Sequence, residues 1–157
     1  MPKILVFGIV KSLHDLFTAL WVGGILTTAI AFMPTLRKSG LNSSYVNPLM
    51  KKYQNHLRVI ALISIIGLWL TGILLGNRAP AYDGFFDFST TYALLISIKH
   101  SVIFIMVIIA IIRGFVLGRK ILDFSPAQKK GYMILLLINS ALGIIVLFLS
   151  GISAAMG

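Results

Sequence analysis

Apolar residues fill four stretches of the chain, 4–32, 53–75, 90–112 and 126–155, and polar residues gather between them. Each stretch reaches the roughly 20 residues a helix needs to cross the hydrocarbon of a bilayer. The pattern predicts an all-α integral membrane four-helix bundle, up-down in topology, forming a single domain. The fourth stretch opens with Ser125-Pro126-Ala127-Gln128. That order supplies a capping Ser, a Pro at the first helical position and a Gln able to close a capping box. The first stretch does not read as a cleavable signal peptide, because Lys11, His14 and Asp15 interrupt it and no small-residue cleavage site follows.

Those interruptions are the most informative feature of the pattern. On a helix turning about 100° per residue, Lys11, His14, Thr18, Trp21 and Thr28 fall within roughly 60° of the direction of His14. Ionisable groups are costly in hydrocarbon and by default mark a site. The stripe is therefore expected to face the bundle interior. Gly23, Gly24, Gly67, Gly72, Gly143 and Gly151 read most simply as small residues that let membrane helices approach closely. The sharper reading is that some of them clear room for the edge of a flat cofactor.

Composition agrees with a membrane protein: 58% of the 157 residues are hydrophobic and 11% charged, with a mean hydropathy of +0.96. A net charge of +10 would suggest nucleic acid in a soluble protein, but here the positions of the charges matter more than their sum. Arg37, Lys38, Lys51, Lys52 and Arg58 lie at the first connection, and Arg113, Arg119, Lys120, Lys129 and Lys130 at the third. Only Lys3, Lys11, Arg78 and Lys99 lie elsewhere. The positive-inside rule then predicts a multi-pass plasma-membrane protein with these two connections cytoplasmic and both termini outside. In the second connection, 78–89, Tyr82, Phe85, Phe86 and Phe88 suit the headgroup region. The lipid bilayer is the expected partner, and nucleic acid is not. The chain has no cysteine, which removes disulfides, thiolate haem ligation, covalent haem attachment and iron–sulfur clusters. It has no glutamate, and its acids are Asp15, Asp83, Asp87 and Asp123, so a carboxylate metal cluster is hard to assemble.

The histidines sharpen the picture. His14 and His100 each fall about ten residues into helices that run in the same direction, and so at matched depth. In an up-down bundle those helices are diagonal across the core, where two imidazoles can take both axial positions of one haem iron. His56 lies near the cytoplasmic end, at the wrong depth for that pair, and reads as a packing or hydrogen-bonding residue. Copper binding, proton handling and a purely structural role remain alternatives for His14 and His100. Asp15 points about 100° from His14 and is placed to pair with Lys11 or Lys99. Lys11 and Lys99 are candidate partners for haem propionates, with snorkelling to the interface as the plain alternative.

His14 followed by Trp21-Val22-Gly23-Gly24, with Pro34 near the inner end of the helix, resembles the membrane domain of the copper resistance protein D family. The spacing from His14 to Trp21, together with Lys99 in helix three, is similar to HemJ-type protoporphyrinogen oxidases. Members of the HemJ group are four-helix membrane proteins that bind haem b, so the resemblance implies that fold and that cofactor. Both groups tend to carry a glutamate in helix four, where Asn139 is the comparable residue here.

These readings lead to a membrane b-type cytochrome serving electron transfer, with one haem b between helices one and three. His14 and His100 are its expected iron ligands, and Lys11, Trp21, Lys99 and Phe104 its further contacts. A copper-binding or copper-transport protein is the competing expectation, with Met33, Met106 and Met133 as added soft ligands. A porphyrinogen oxidase with Lys99 on substrate carboxylates is another. The last is an accessory subunit of a larger membrane complex. The redox partner is not identified by the sequence, and a homo-oligomer is compatible with it.

Overall fold

The computed structural model describes residues 3–76, 88–118 and 125–156, without the side chain of Ser43. Arg78, Tyr82, Asp83, Phe85, Phe86, Asp87, Arg119, Lys120 and Asp123, used above, lie outside the described residues. The helices are α1 (Lys3–Thr27), α2 (Met33–Lys38), α3 (Ser43–Gly76), α4 (Thr91–Ile111) and α5 (Pro126–Met156). A π-helical turn, Thr28–Phe32, joins α1 to α2, and a second, Ile112–Leu117, extends α4. Four continuous spans long and apolar enough to cross a membrane result, Lys3–Lys38, Ser44–Gly76, Thr91–Leu117 and Pro126–Met156. The protein is an all-α four-helix bundle of membrane-spanning helices.

Two spans are longer than their apolar stretches. The first runs on to Lys38, and α3 begins at Ser43 instead of near 53. Hydrophobicity marks only what lies in hydrocarbon, whereas backbone hydrogen bonding carries a helix past the interface. At 1.5 Å per residue the first span is roughly 50 Å long, against a hydrocarbon core of about 30 Å. The early start of α3 is anchored by the Asn42 carbonyl, which accepts from the backbone N–H of both Tyr45 and Val46.

Pro34 accounts for the first π turn. A proline at 34 cannot donate to the carbonyl of residue 30, and its ring would strike that carbonyl in a regular helix. Widening the preceding turn relieves the clash, and the Met33 N–H reaches back to Thr28 O. The Thr28 hydroxyl assists by donating to Gly24 O at 2.6 Å. Caps form as the sequence predicts at α5. The Ser125 N–H donates to Gln128 Oε1 at 2.9 Å, and the Gln128 N–H donates to Ser125 Oγ at 3.3 Å. At α4 the Thr90 side chain accepts from the Ala93 N–H.

α1 packs along α3 and along α5, and α4 packs along α5. α3 meets the α4 span chiefly through its π turn. α1 and α4 are thus diagonal. The main apolar core joins Trp21, Val22, Ile25, Ala29 and Met33 to Met106, Leu136 and Val146. It lies toward the end of the bundle that carries the first and third connections, here termed the basic end. Two glycines set the helix spacing. A Cβ at Gly67 would run into the Phe17 ring across the α1–α3 contact, and one at Gly143 would lie 3.0 Å from Val22 Cγ1 across α1–α5. Gly23 and Gly151, also read as packing residues, have open space where a Cβ would go.

Candidate functional site

His14 is held from the neighbouring helix. Its Nδ1 lies 2.8 Å from Thr71 Oγ1, and Gly72 beside Thr71 leaves the approach clear, with a hypothetical Cβ 3.7 Å from His14 Cε1. The Thr71 hydroxyl donates its single proton to Gly67 O, 2.6 Å away. It therefore accepts from His14, which favours a proton on Nδ1 and leaves the Nε2 lone pair available. Metal-binding histidines characteristically have one ring N–H committed in this way. Nothing in the one-dimensional pattern singled out Thr71. Its signal was a hydroxyl in an otherwise apolar helix, two residues from a tryptophan and next to glycine.

His100 occupies the matching level on the diagonal helix. His14 is eleven residues beyond Lys3, and His100 nine beyond Thr91, or about 17 and 14 Å along their helices. The two rings are close enough to interact electrostatically, and the His100 ring also donates to the backbone carbonyl of Ile96. Each imidazole thus has one ring nitrogen engaged by a helix-borne oxygen. Lys99 is partly buried, and His14, His100 and Asp15 all lie within electrostatic range of it.

Other expected site residues fall elsewhere. Lys11 is exposed. Phe104 is 63% exposed, on the outside of the bundle. Trp21 is buried in the apolar core, two turns from His14 toward the basic end. His56 is exposed, and its Nδ1 is 2.8 Å from the Lys52 carbonyl one turn back, a local bond that suits the plain reading. Met33 and Met106 are sealed in the apolar core, with Met133 packed against it, so these methionines do not converge on His14. Among the described residues no group of three or more histidine, cysteine or acidic side chains is gathered closely enough to hold a metal ion. Haem iron takes four of its ligands from the porphyrin and asks the protein for only two, so a histidine pair suits it where a protein-only ion site needs more.

A second polar cluster near the basic end was not anticipated. Arg113 and Tyr132 are both buried, and Arg113 Nη2 donates to Tyr132 Oη at 3.3 Å, with the guanidinium 5.0 Å above that ring. Arg113 and Arg58 had registered only as orientation charges, because sequence alone does not distinguish a solvated arginine at a helix end from an enclosed one.

Comparison with protein-family models, with curated proteins and with solved structures finds no match to this chain.

Proposed function

We propose that the chain is a membrane b-type cytochrome that transfers electrons, in which His14 and His100 would hold the iron of one haem b. The observation that carries this reading is the pair of contacts at Thr71, whose hydroxyl donates to Gly67 O at 2.6 Å and lies 2.8 Å from His14 Nδ1, an arrangement that favours a proton on Nδ1. An imidazole prepared in this way presents Nε2 as a donor to iron. Its counterpart on the diagonal helix, His100, is oriented by Ile96. Haem, when bound, supplies a one-electron ferric–ferrous couple. The chain's own part is to hold two neutral imidazoles, to exclude water with the surrounding helices, and to set the local charge. Lys99 and Asp15 do the last, since a cation near the iron favours the more negative, reduced state, and the carboxylate offsets it. Two imidazole ligands leave no open iron position, which suits electron transfer over oxygen chemistry.

The test is the visible spectrum and pyridine haemochrome of the detergent-purified, haem-replete protein. Low-spin b-type haem is expected, and His14→Ala and His100→Ala should each abolish the low-spin spectrum. Lys99→Ala should retain haem with a lowered midpoint potential. Absence of haem from the replete protein, or a low-spin spectrum that survives His100→Ala, overturns the reading.

A further inference from the structure

A half-open cavity of about 70 Å³ lies between the helices near the basic end, bordered by Trp21, Gln54, Arg58, Arg113 and Asn139 and, on its open side, by Leu20 and Ile111. Its wall is unusually polar for so apolar a bundle. Arg113 is 8% exposed, Trp21 3% and Asn139 0%. Yet Trp21 Nε1, Arg113 Nε and both side-chain polar atoms of Asn139 are buried without a hydrogen-bond partner. Most of these orphaned atoms are donors. Native interiors leave few polar atoms unpaired, and a concentration of them around one void points to an occupant.

The charge around the void is equally one-sided. Arg58 donates to Gly114 O at 3.3 Å and lies 5.4 Å from the Phe115 ring centre. Arg113 uses Tyr132 in the same two ways. Carbonyls, phenols and ring faces accept hydrogen bonds without cancelling a full charge. Asp15 is the one carboxylate among the described residues, and it belongs to the His14 level. Among the described residues the Arg113 guanidinium has no counter-charge; burying one so is costly, and an anion in the void would offset that cost. Both π turns also border this void: Thr28 opens the first, and Arg113 and Gly114 lie in the second. π turns occur frequently at functional sites, and here they supply two walls of one chamber.

From these features we infer that the chamber is a binding site for a small monovalent anion of chloride size, held by Arg113, Asn139 and Trp21. Charge favours a monovalent ion, since Arg113 is the one buried guanidinium among the described residues. A water needs about 10–15 Å³ of such cavity space, so the void has room for a chloride together with several waters. The alternative occupant is water alone.

The test uses the full purified chain in detergent, with gluconate as the background anion at constant ionic strength. Chlorine NMR line width is followed as chloride is added, and thermal stability is measured in parallel. Excess broadening that saturates with chloride and is reversed by bromide is expected, together with a chloride-dependent rise in melting temperature. Arg113→Gln should raise the half-saturating chloride concentration at least tenfold. Asn139→Asp, which builds an anion into the wall, should abolish both effects and keeps the test decisive if Arg113→Gln does not fold. Lys129→Gln, on the exposed start of α5, should behave as the parent. No broadening beyond that of empty micelles, or broadening that is unchanged in folded Arg113→Gln or Asn139→Asp, means that water fills the chamber and overturns the proposal. None of these readouts requires haem, so they stand apart from the test of the cytochrome reading.

Discussion

Replacing Gly67 by Ala tests the helix contact that positions His14. Ala is ordinarily the better helix residue, by about 0.5–1 kcal/mol. In this structure the added Cβ would fall on three ring carbons of Phe17, the farthest of them 2.6 Å away. Carbon atoms prefer separations of about 3.5–4.0 Å, so roughly 1 Å must be found by swinging the ring or by parting α1 from α3. Overpacking of that kind typically costs about 1–3 kcal/mol. The clash therefore offsets or outweighs the propensity gain, and a net destabilisation of about 0–2.5 kcal/mol is expected. The same displacement bears on the site, because Phe17 is one turn from His14, and Gly67 one turn from Thr71. Parting the helices by about 1 Å would take the His14–Thr71 contact from 2.8 Å beyond hydrogen-bonding range. The assay is equilibrium unfolding in mixed micelles, run as a double-mutant cycle with Phe17→Ala. In the Phe17→Ala background Gly67→Ala should instead stabilise, by about the propensity difference of 0.5–1 kcal/mol. An equal effect in both backgrounds, or a stabilisation with Phe17 intact, would refute this account of the α1–α3 contact.

Three further outcomes are expected. A reporter active only in the cytoplasm, fused after Gly157, should stay silent, because the basic residues cluster at the first and third connections; strong activity would reverse the proposed orientation. Thr71→Val should lower haem affinity about 10–100-fold by removing the acceptor for His14 Nδ1, whereas Thr71→Ser should restore it; equal haem content in all three proteins would show that the tautomer is not under Thr71 control. His56→Ala should leave haem content and spectrum as in the parent, since its ring is exposed and bonded within its own turn, and haem loss from the folded variant would show that the wrong histidines were paired.

The number of spans, their order and the capping box of α5 were legible in the sequence, because each depends on local information. An apolar run about as long as the bilayer is thick has few alternatives to a helix, and Ser125 and Gln128 satisfy each other within one turn. The matched depth of His14 and His100 was also readable, since depth follows from counting along a helix of fixed rise. What the pattern misplaced depends on how helices rotate against one another. Phe104 was assigned to the ligand-facing side, yet packing sends it to the outside, whereas Trp21, on the stripe expected to face the interior, is buried in the core. A helical wheel knows angles within one helix but not where the neighbours stand. Thr71 gained its role only through the α1–α3 contact, which Gly67 makes possible by lacking a Cβ. The enclosed Arg113 is the plainest case. As a letter near a helix end it counts toward topology, and only the assembled bundle, with its widened π turn and buried Tyr132, turns that charge inward. Local chemistry wrote the helices, while the facing of side chains between helices, and so the two polar clusters, was decided by tertiary packing.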